Sequence, residues 1–361
     1  MSTPLRTPRE PRMTVDAGPA LVNVRDFEAA ARATLGPVYH DYFASGAQDE
    51  ITVAANESAF RRRALIPRVL RGCPPPRLDV TVLGQQASMP VLIAPTAFHR
   101  LACADGELAT GRAAAAADVT MIAAMLSTVT IEEIAATGAK LWFQLYIQPD
   151  LAFTESLVRR AEAAGCRALV VTVDSPALGR NERGDRNNFH DLPPGIHCAN
   201  MGGAGHVRQV VLSPEVSWRH LDWLRQATTL PILLKGVLHP DDARIAVERG
   251  VDGLIVSNHG GRQLDTTPAT LDRLPVIADA VAGHVPLLLD GGVRRGTDIA
   301  KALATGARAV AIGRPVLWAL AVAGEAGVVS MLELLRAELV NALTLLGVAA
   351  PAELTRDQVE P

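Results

Sequence analysis

The sequence predicts an α/β protein built as one (β/α)8 TIM barrel with an N-terminal helical extension, and three observations carry that prediction. Eight short apolar or β-branched runs recur from Val91 onward, each followed by a polar or glycine-bearing turn and then an Ala/Leu-rich stretch of helical periodicity. The runs are continuously apolar, as parallel strands buried under helices must be. No GxGxxG turn follows the first run, which argues against an open doubly wound sheet.

In chain order, residues 1–20 carry Pro4, Pro8, Pro11, Pro19 and several arginines without the apolar stretch of a secretory signal, so they read as a disordered tail. The barrel domain is expected over residues 21–350. Residues 22–71 open with a helix, and Pro74, Pro75 and Pro76 break the chain before the first strand. The strands are read at 91–95, 120–124, 141–146, 168–174, 232–236, 253–259, 287–292 and 309–314. Helices at 106–117, 150–164, 240–249, 270–282 and 297–305 place apolar residues three and four apart, and Gly165, Gly250, Gly283 and Gly306 stand where helices should stop. The Gly-, Pro- and His-rich connection at about 190–212 reads as a mobile lid.

Composition narrows the function. A chain of 361 residues, 48% hydrophobic and 20% charged, can bury a large core. A net charge of −3 with mixed signs, and only 4% aromatic residues, gives no field or stacking surface for nucleic acid. No uninterrupted run of about 18 apolar residues suggests a membrane span, so the expected compartment is the cytoplasm. Cys73, Cys103, Cys166 and Cys198 lie far apart and read as buried reduced thiols; no metal site is expected.

Active groups of such a barrel stand at the C-terminal ends of the strands. Polar residues do cluster there: Gln144 and Tyr146, Thr172 and Asp174, Lys235, Ser257 and His259 with Arg262, Asp290 with Arg294, and Arg314. Charged groups in such positions are costly to desolvate unless they serve one another or a ligand. Glycine-rich turns after the last two strands, Gly291-Gly292 and Gly313, with Arg294 and Arg314, suit a phosphate. Alone, the Gly-Gly pair would more simply permit a tight turn. Lys235 offers a fixed positive charge in the mouth, although an isolated strand lysine more often snorkels. His259, flanked by a glycine, suits close ligand approach and base catalysis, and Asp174 could support its charged form.

The stretches SNHGGRQLD (257–265), LPILLKGV (230–237), LLLDGGVRRGTDIAKALATGARAVAIGRP (287–315), WFQLY (142–146) and YHDYFASGAQDE (39–50) resemble the FMN-dependent 2-hydroxy-acid oxidase and dehydrogenase family. Its members include glycolate oxidase, lactate oxidase and mandelate dehydrogenase. The resemblance, over about residues 22–346, implies FMN as cofactor. Pro95, Thr96 and Ala97 would lie beside its ring, and Ser127, Gln144 and Thr172 along the polar edge. Lys235 would stand near the ring carbonyl with Ser257 close by, and Asp290 at the ribityl chain. Gly291, Gly292, Arg294, Gly313 and Arg314 would hold the phosphate. It further implies His259 as the base, Asp174 as its support, Arg262 and Tyr42 on the substrate carboxylate, and Tyr146 on the hydroxyl or carboxylate. Relatives suggest a homotetramer.

One position departs from the family pattern: Asn181 stands where many relatives carry a second carboxylate-binding arginine. Either Arg180 or Arg183 substitutes, or the acid group is held differently. The loop 125–133 is shorter than in glycolate oxidase, and Phe98 follows the first strand end; together these resemble mandelate and 4-hydroxymandelate oxidases and favour an aromatic (S)-2-hydroxy acid. Phe98 packing under a loop is the plainer reading. Ala97, where relatives that avoid oxygen sometimes carry glycine, leans toward O2 as acceptor, with hydrogen peroxide as product. Two alternatives remain: a dehydrogenase with another electron acceptor, and a biosynthetic tailoring oxidase acting on an unusual hydroxy- or amino-acid unit. A barrel kept only as a scaffold would have lost catalytic positions, yet His259, Arg262, Lys235 and Tyr42 are intact.

Overall fold

The computed structural model describes residues 21–203 and 206–360, so the tail expected over 1–20 lies outside the described residues. Eight parallel strands close into a barrel: β1 Val91–Ile93, β2 Thr120–Ala124, β3 Lys140–Leu145, β4 Leu169–Thr172, β5 Ile232–Lys235, β6 Gly253–Val256, β7 Leu287–Asp290 and β8 Ala309–Ile312. Neighbours pair in chain order, and β8 pairs with β1, Ile312 opposite Ile93, to complete the ring. Most strands end earlier than their apolar runs. Pro95, Tyr146, Asp174, Gly236, His259 and Gly292 therefore belong to turns and Arg314 opens a helix, so their side chains are released from the pleat.

Side-chain parity then builds both the core and the floor of the mouth. Along a strand, alternate residues face alternate sides. Leu92, Ile122, Trp142, Val170, Leu233, Ile255, Leu288 and Ala311 fill the barrel interior, and an antiparallel hairpin of Val80–Val82 and Gln85–Ala87 packs into the same cluster. Residues of opposite parity, such as Phe143, Val171, Leu234, Leu254 and Leu289, join the larger core beneath the helices. One step of two further along each interior row come Ala94, Ala124, Gln144, Thr172, Lys235, Ser257, Asp290 and Gly313. The uppermost layer of the barrel is therefore polar on five of its eight positions.

The helices are α1 Val24–Ala44, α2 Ile51–Arg62, α3 Glu107–Ala116, α4 Ile131–Ala135, α5 Leu151–Ala163, α6 Glu182–Arg186, α7 Trp218–Ala227, α8 Pro240–Glu248, α9 Thr270–Val281, α10 Gly296–Thr305 and α11 Arg314–Leu346. Asn23 and Asp26 form a capping box at the start of α1, which bends at Gly36 before Pro37. Helix α11 corrects the expectation that no stretch has the length and apolarity of a membrane span: its 33 residues include a window of mean hydropathy 1.6. Non-helical backbone at Ala323 and Gly324 interrupts it, and Val328, Leu332, Leu335 and Leu339 are buried in the core. Packing accounts for that apolarity.

One boundary and the cysteine burial also differ from the sequence reading. Beyond residue 350 the chain remains part of the body, because Val359–Glu360 pairs antiparallel with Ala64–Leu65. Of the four free cysteines only Cys166 is fully buried; Cys73, Cys103 and Cys198 are half-exposed. Within the connection at 190–212, Asn200 and Met201 are buried. Asn200 Oδ1 accepts from Ile131 N–H at 2.9 Å, and Ala199 N–H donates to Ser127 O at 2.9 Å.

Candidate active site

The polar layer closing the barrel is internally bonded. Gln144 Oε1 accepts from Met125 N–H at 3.2 Å while its Nε2 donates to Thr172 Oγ1 at 3.1 Å, and Ser127 beside them is fully buried. Across the mouth, Lys235 Nζ donates to Ser257 Oγ at 3.0 Å and pairs with Asp290 Oδ2 at 3.3 Å. Burial alone would favour a neutral Lys235. Asp290, Asp174 and Tyr146 outweigh it and raise its pKa above the ordinary lysine value, so the ammonium is retained. In the half-buried turn Pro95-Thr96-Ala97, Thr96 Oγ1 lies 2.7 Å from Nε2 of the buried His99.

The turn after β6 presents the histidine. His259 adopts φ 58°, a left-handed conformation that a non-glycine residue takes at some cost, so the surrounding structure must hold it. Gly260 follows with φ 63°, and a Cβ there would stand 2.9 Å from Arg314 Nη1. His259 Nδ1 lies 2.9 Å from Asp174 Oδ1. Burial pushes the Asp174 carboxyl up, but His259 first, then Lys235 and Ser175, more than reverse this and hold it at about 2. Asp174 rests on Gly236, where a Cβ would fall 2.6 Å from the carboxyl carbon. Burial keeps the Tyr146 phenol neutral, raising its pKa to about 12, with Lys235, Asp174, Ser175 and Tyr42 around it.

Arginines form the opposite rim. Arg262 Nη1 donates to Tyr42 O at 2.8 Å and Ser45 O at 3.1 Å, with its guanidinium 5.2 Å from the Tyr42 ring centroid. Arg314 donates to Phe43 O at 3.1 Å and, through Nη2, to Ser45 O at 2.8 Å. Two cations thus share one carbonyl oxygen, and neither has a carboxylate partner among the described residues. Burial, followed by Arg262 and Arg294, pushes the Arg314 pKa down to about 9. Arg294 is buried, pairs with Glu57 at 3.2 Å and stacks on Trp318, while its Nε has no hydrogen-bond partner. Gly291 and Gly292, at φ 92° and 84°, are pressed by α2: a Cβ on Gly292 would meet Asn56 O at 2.3 Å. Their turn is therefore required by helix packing as well as being open to a phosphate.

Sequence reasoning missed several members. Ser175 and Gln263, each next in sequence to an assigned residue, bond to the Asp174–His259 pair, directly or through one another. Asn56 and Asn258 exchange two side-chain bonds of 2.9 Å that tie α2 to the histidine turn. Only the position of Asn258 inside the SNHGG stretch could have signalled that pair. The arginine substitution considered at Asn181 is not what the structure places there: Asn181 caps α6 by accepting from Gly184 N–H at 3.0 Å. Arg180 is exposed near Asp185, and Arg183 is bound to Glu50 and Asp41.

A barrel whose mouth joins a carboxylate-supported histidine, a retained lysine and excess arginines is that of an enzyme acting on anions. The family model for FMN-dependent dehydrogenases matches residues 31–361, and the chain belongs to that family. It is 48% identical to an L-lactate oxidase of a Nostoc species over 93% of this chain and 96% of that protein. It is 45% identical to 2-hydroxyacid oxidase 1 of Homo sapiens over 91% and 94%. Among solved structures, mandelate oxidase with benzoyl-formic acid superposes with a TM-score of 0.89 at 42% identity, covering 94% of this chain and 98% of that one. The same enzyme with (S)-2-phenylpropionate gives a TM-score of 0.88 at the same identity and coverage. The reaction class is the FMN-dependent oxidation of 2-hydroxy acids. The residues fit FMN: Asp290 Oδ1 and Arg294 Nε are buried without partners, and the rim carries uncompensated positive charge.

Proposed function

We propose that the protein oxidises an (S)-2-hydroxy acid with an aromatic side chain to the 2-keto acid and passes the electrons to O2, giving hydrogen peroxide. The observation that carries this reading is the 2.9 Å His259–Asp174 contact, three residues from Arg262 in one turn, beside a cationic Lys235. Bound FMN supplies the two-electron acceptor chemistry, with Pro95, Thr96, Ala97, Ser127, Gln144, Thr172, Lys235, Ser257 and Asp290 holding its ring and ribityl parts. Gly291, Gly292, Arg294, Gly313 and Arg314 hold the phosphate.

In this reading Arg262 exchanges backbone carbonyls for the substrate carboxylate, and Tyr42 and Tyr146 donate their neutral phenols to its oxygens. His259 Nε2 takes the substrate proton, and Asp174, ionised down to about 2, stabilises the imidazolium that results. The aromatic preference is supported by the wall above the site: Tyr42 stacks on Phe98 at 5.8 Å, and Phe189 meets Tyr42 edge-on at 5.2 Å. O2 as acceptor is supported by the oxidases among the relatives. A tailoring role is the second reading, favoured by Asn181, which caps α6 and brings no second arginine to stand with Arg262. A cytoplasmic homotetramer is the proposed form, tested by light scattering of the purified protein.

The test is anaerobic mixing with a panel of short-chain and aromatic 2-hydroxy acids while the visible flavin band is followed. Rapid bleaching by aromatic (S)-acids, then peroxide on admitting air, is expected. A yellow protein that none of them bleaches refutes the proposal, and bleaching by short-chain acids alone refutes its aromatic part.

A further inference from the structure

The Asp174–His259 pair is held by a directed chain of hydrogen bonds that starts on the backbone of the connection after β4. Gly179 N–H donates to Gln263 Oε1 at 2.7 Å, and Gln263 Nε2 donates to Ser175 Oγ. Ser175 Oγ then donates to Asp174 Oδ1 at 3.0 Å, the same oxygen that His259 Nδ1 approaches at 2.9 Å. The direction is forced by donor inventory. A backbone N–H can only donate, so the Gln263 amide must turn its oxygen to Gly179 and its NH2 to Ser175. Because Ser175 receives that donor, its single proton is free for Asp174. Asp174 Oδ1 consequently accepts two donors, while Oδ2 is buried and accepts none.

The start of the chain is equally constrained. A Cβ on Gly179 would lie 2.2 Å from Arg262 O and 2.7 Å from Gln263 O, so the loop backbone is pressed against the turn that carries the histidine and arginine. Beyond it, Phe189 packs on Tyr42.

We propose that Ser175 and Gln263 are positioning residues that aim Asp174 Oδ1 at His259 Nδ1 and thereby couple the base to the loop 176–189. This rests on the reading of His259 as the base. Without the serine proton, the Asp174 carboxylate can rotate its free oxygen toward other donors, and the imidazole loses its fixed orientation. Hydrogen bonds to charged groups are strong enough for this to be seen as roughly tenfold or more in rate.

The test uses the FMN-loaded protein and the anaerobic rate of flavin bleaching in Ser175→Ala, Ser175→Thr, Gln263→Met, Gln263→Glu and the Ser175→Ala/Gln263→Met pair. Ser175→Ala should lower the limiting rate roughly tenfold with KM nearly unchanged, and Ser175→Thr, which keeps the hydroxyl, should restore most of it. Gln263→Glu keeps size and the Gly179 bond but draws the serine proton to itself, so it should cost about as much as Ser175→Ala. The double variant should be no slower than Ser175→Ala, because Gln263 acts through the serine. A second reading needs no turnover: the stability difference between about pH 7 and pH 3 should shrink in Ser175→Ala, whereas lost packing alone would lower both equally. Wild-type bleaching in Gln263→Glu, or losses that multiply in the double variant, overturns the proposal. Absence of bleaching in the yellow wild-type protein would sink the functional reading instead, and the stability comparison would still report on the Ser175–Asp174 contact.

Discussion

Replacing Asp174 by asparagine keeps the shape beneath His259 and removes the charge. The structure allows the effect to be sized. Despite burial, the carboxyl is held at about 2 against an ordinary 3.8, chiefly by His259. At about 1.4 kcal/mol per tenfold, that is roughly 2 kcal/mol of net preference for the carboxylate. The same attraction lowers the barrier for proton abstraction, because positive charge grows on the imidazole as the proton arrives. Losing it should slow flavin bleaching by roughly 30-fold at saturating substrate, with little change in KM. Stopped-flow absorbance under nitrogen measures this directly, and FMN content checks that the site is intact. A limiting rate within about threefold of wild type, or a defect confined to KM, would refute the argument.

His259→Ala should retain yellow FMN yet lose bleaching by substrate, since its side chain bonds to Asp174 and Ser175 while its bond to the floor, to Ser257, is made by the backbone N–H that alanine keeps; unchanged bleaching ends its role as base. Gly236→Ala would set a Cβ 2.5 Å from Asp174 Cβ at φ 111°, so a loss of about 2 kcal/mol or more is expected in urea unfolding, together with reduced turnover. A wild-type urea midpoint would show that the turns at Gly236 and Asp174 are less tightly apposed. Acid should also act through Asp174: its folded pKa lies below the unfolded value, so its contribution is full above 3.8 and is lost as pH falls toward about 2. Asp174→Asn should therefore flatten the fall in stability over that window; an unaltered acid profile would contradict the assignment.

Periodicity carried the barrel because each strand is apolar on both faces and each helix on one, and both patterns survive in a linear string. Strand ends were less legible. His259 and Asp174 read as continuations of apolar runs, and only backbone geometry shows them in turns. The charged residues of the barrel mouth were visible because Lys, Asp and Arg are conspicuous beside buried strands. Ser175, Gln263 and Asn56 were not, because uncharged polar residues are commonplace on any surface, and their roles depend on partners 84, 88 or 202 positions away. Helix α11 was hidden for the opposite reason: glycines and polar residues break its apolar run, yet packing makes most of it core.

The N-terminal extension is part of the site's electrostatics. Arg262 and Arg314 converge on Ser45 O without a carboxylate, an arrangement that self-repulsion and desolvation would disfavour by several kcal/mol if nothing opposed it. The opposition comes from α1: Tyr42 O, Phe43 O and Ser45 O lie at its C-terminal end, where carbonyls lack helical partners and the helix carries partial negative charge. That compensation is incomplete, since Arg314 remains pushed down to about 9. A site whose cations are only partly neutralised is stabilised by binding anions, which in the proposed function are the FMN phosphate and a substrate carboxylate. Each should raise the midpoint of thermal unfolding by mass action. FMN alone should also leave Arg262 still able to favour a carboxylate, so a 2-keto acid product should add a further increment to the FMN-loaded protein.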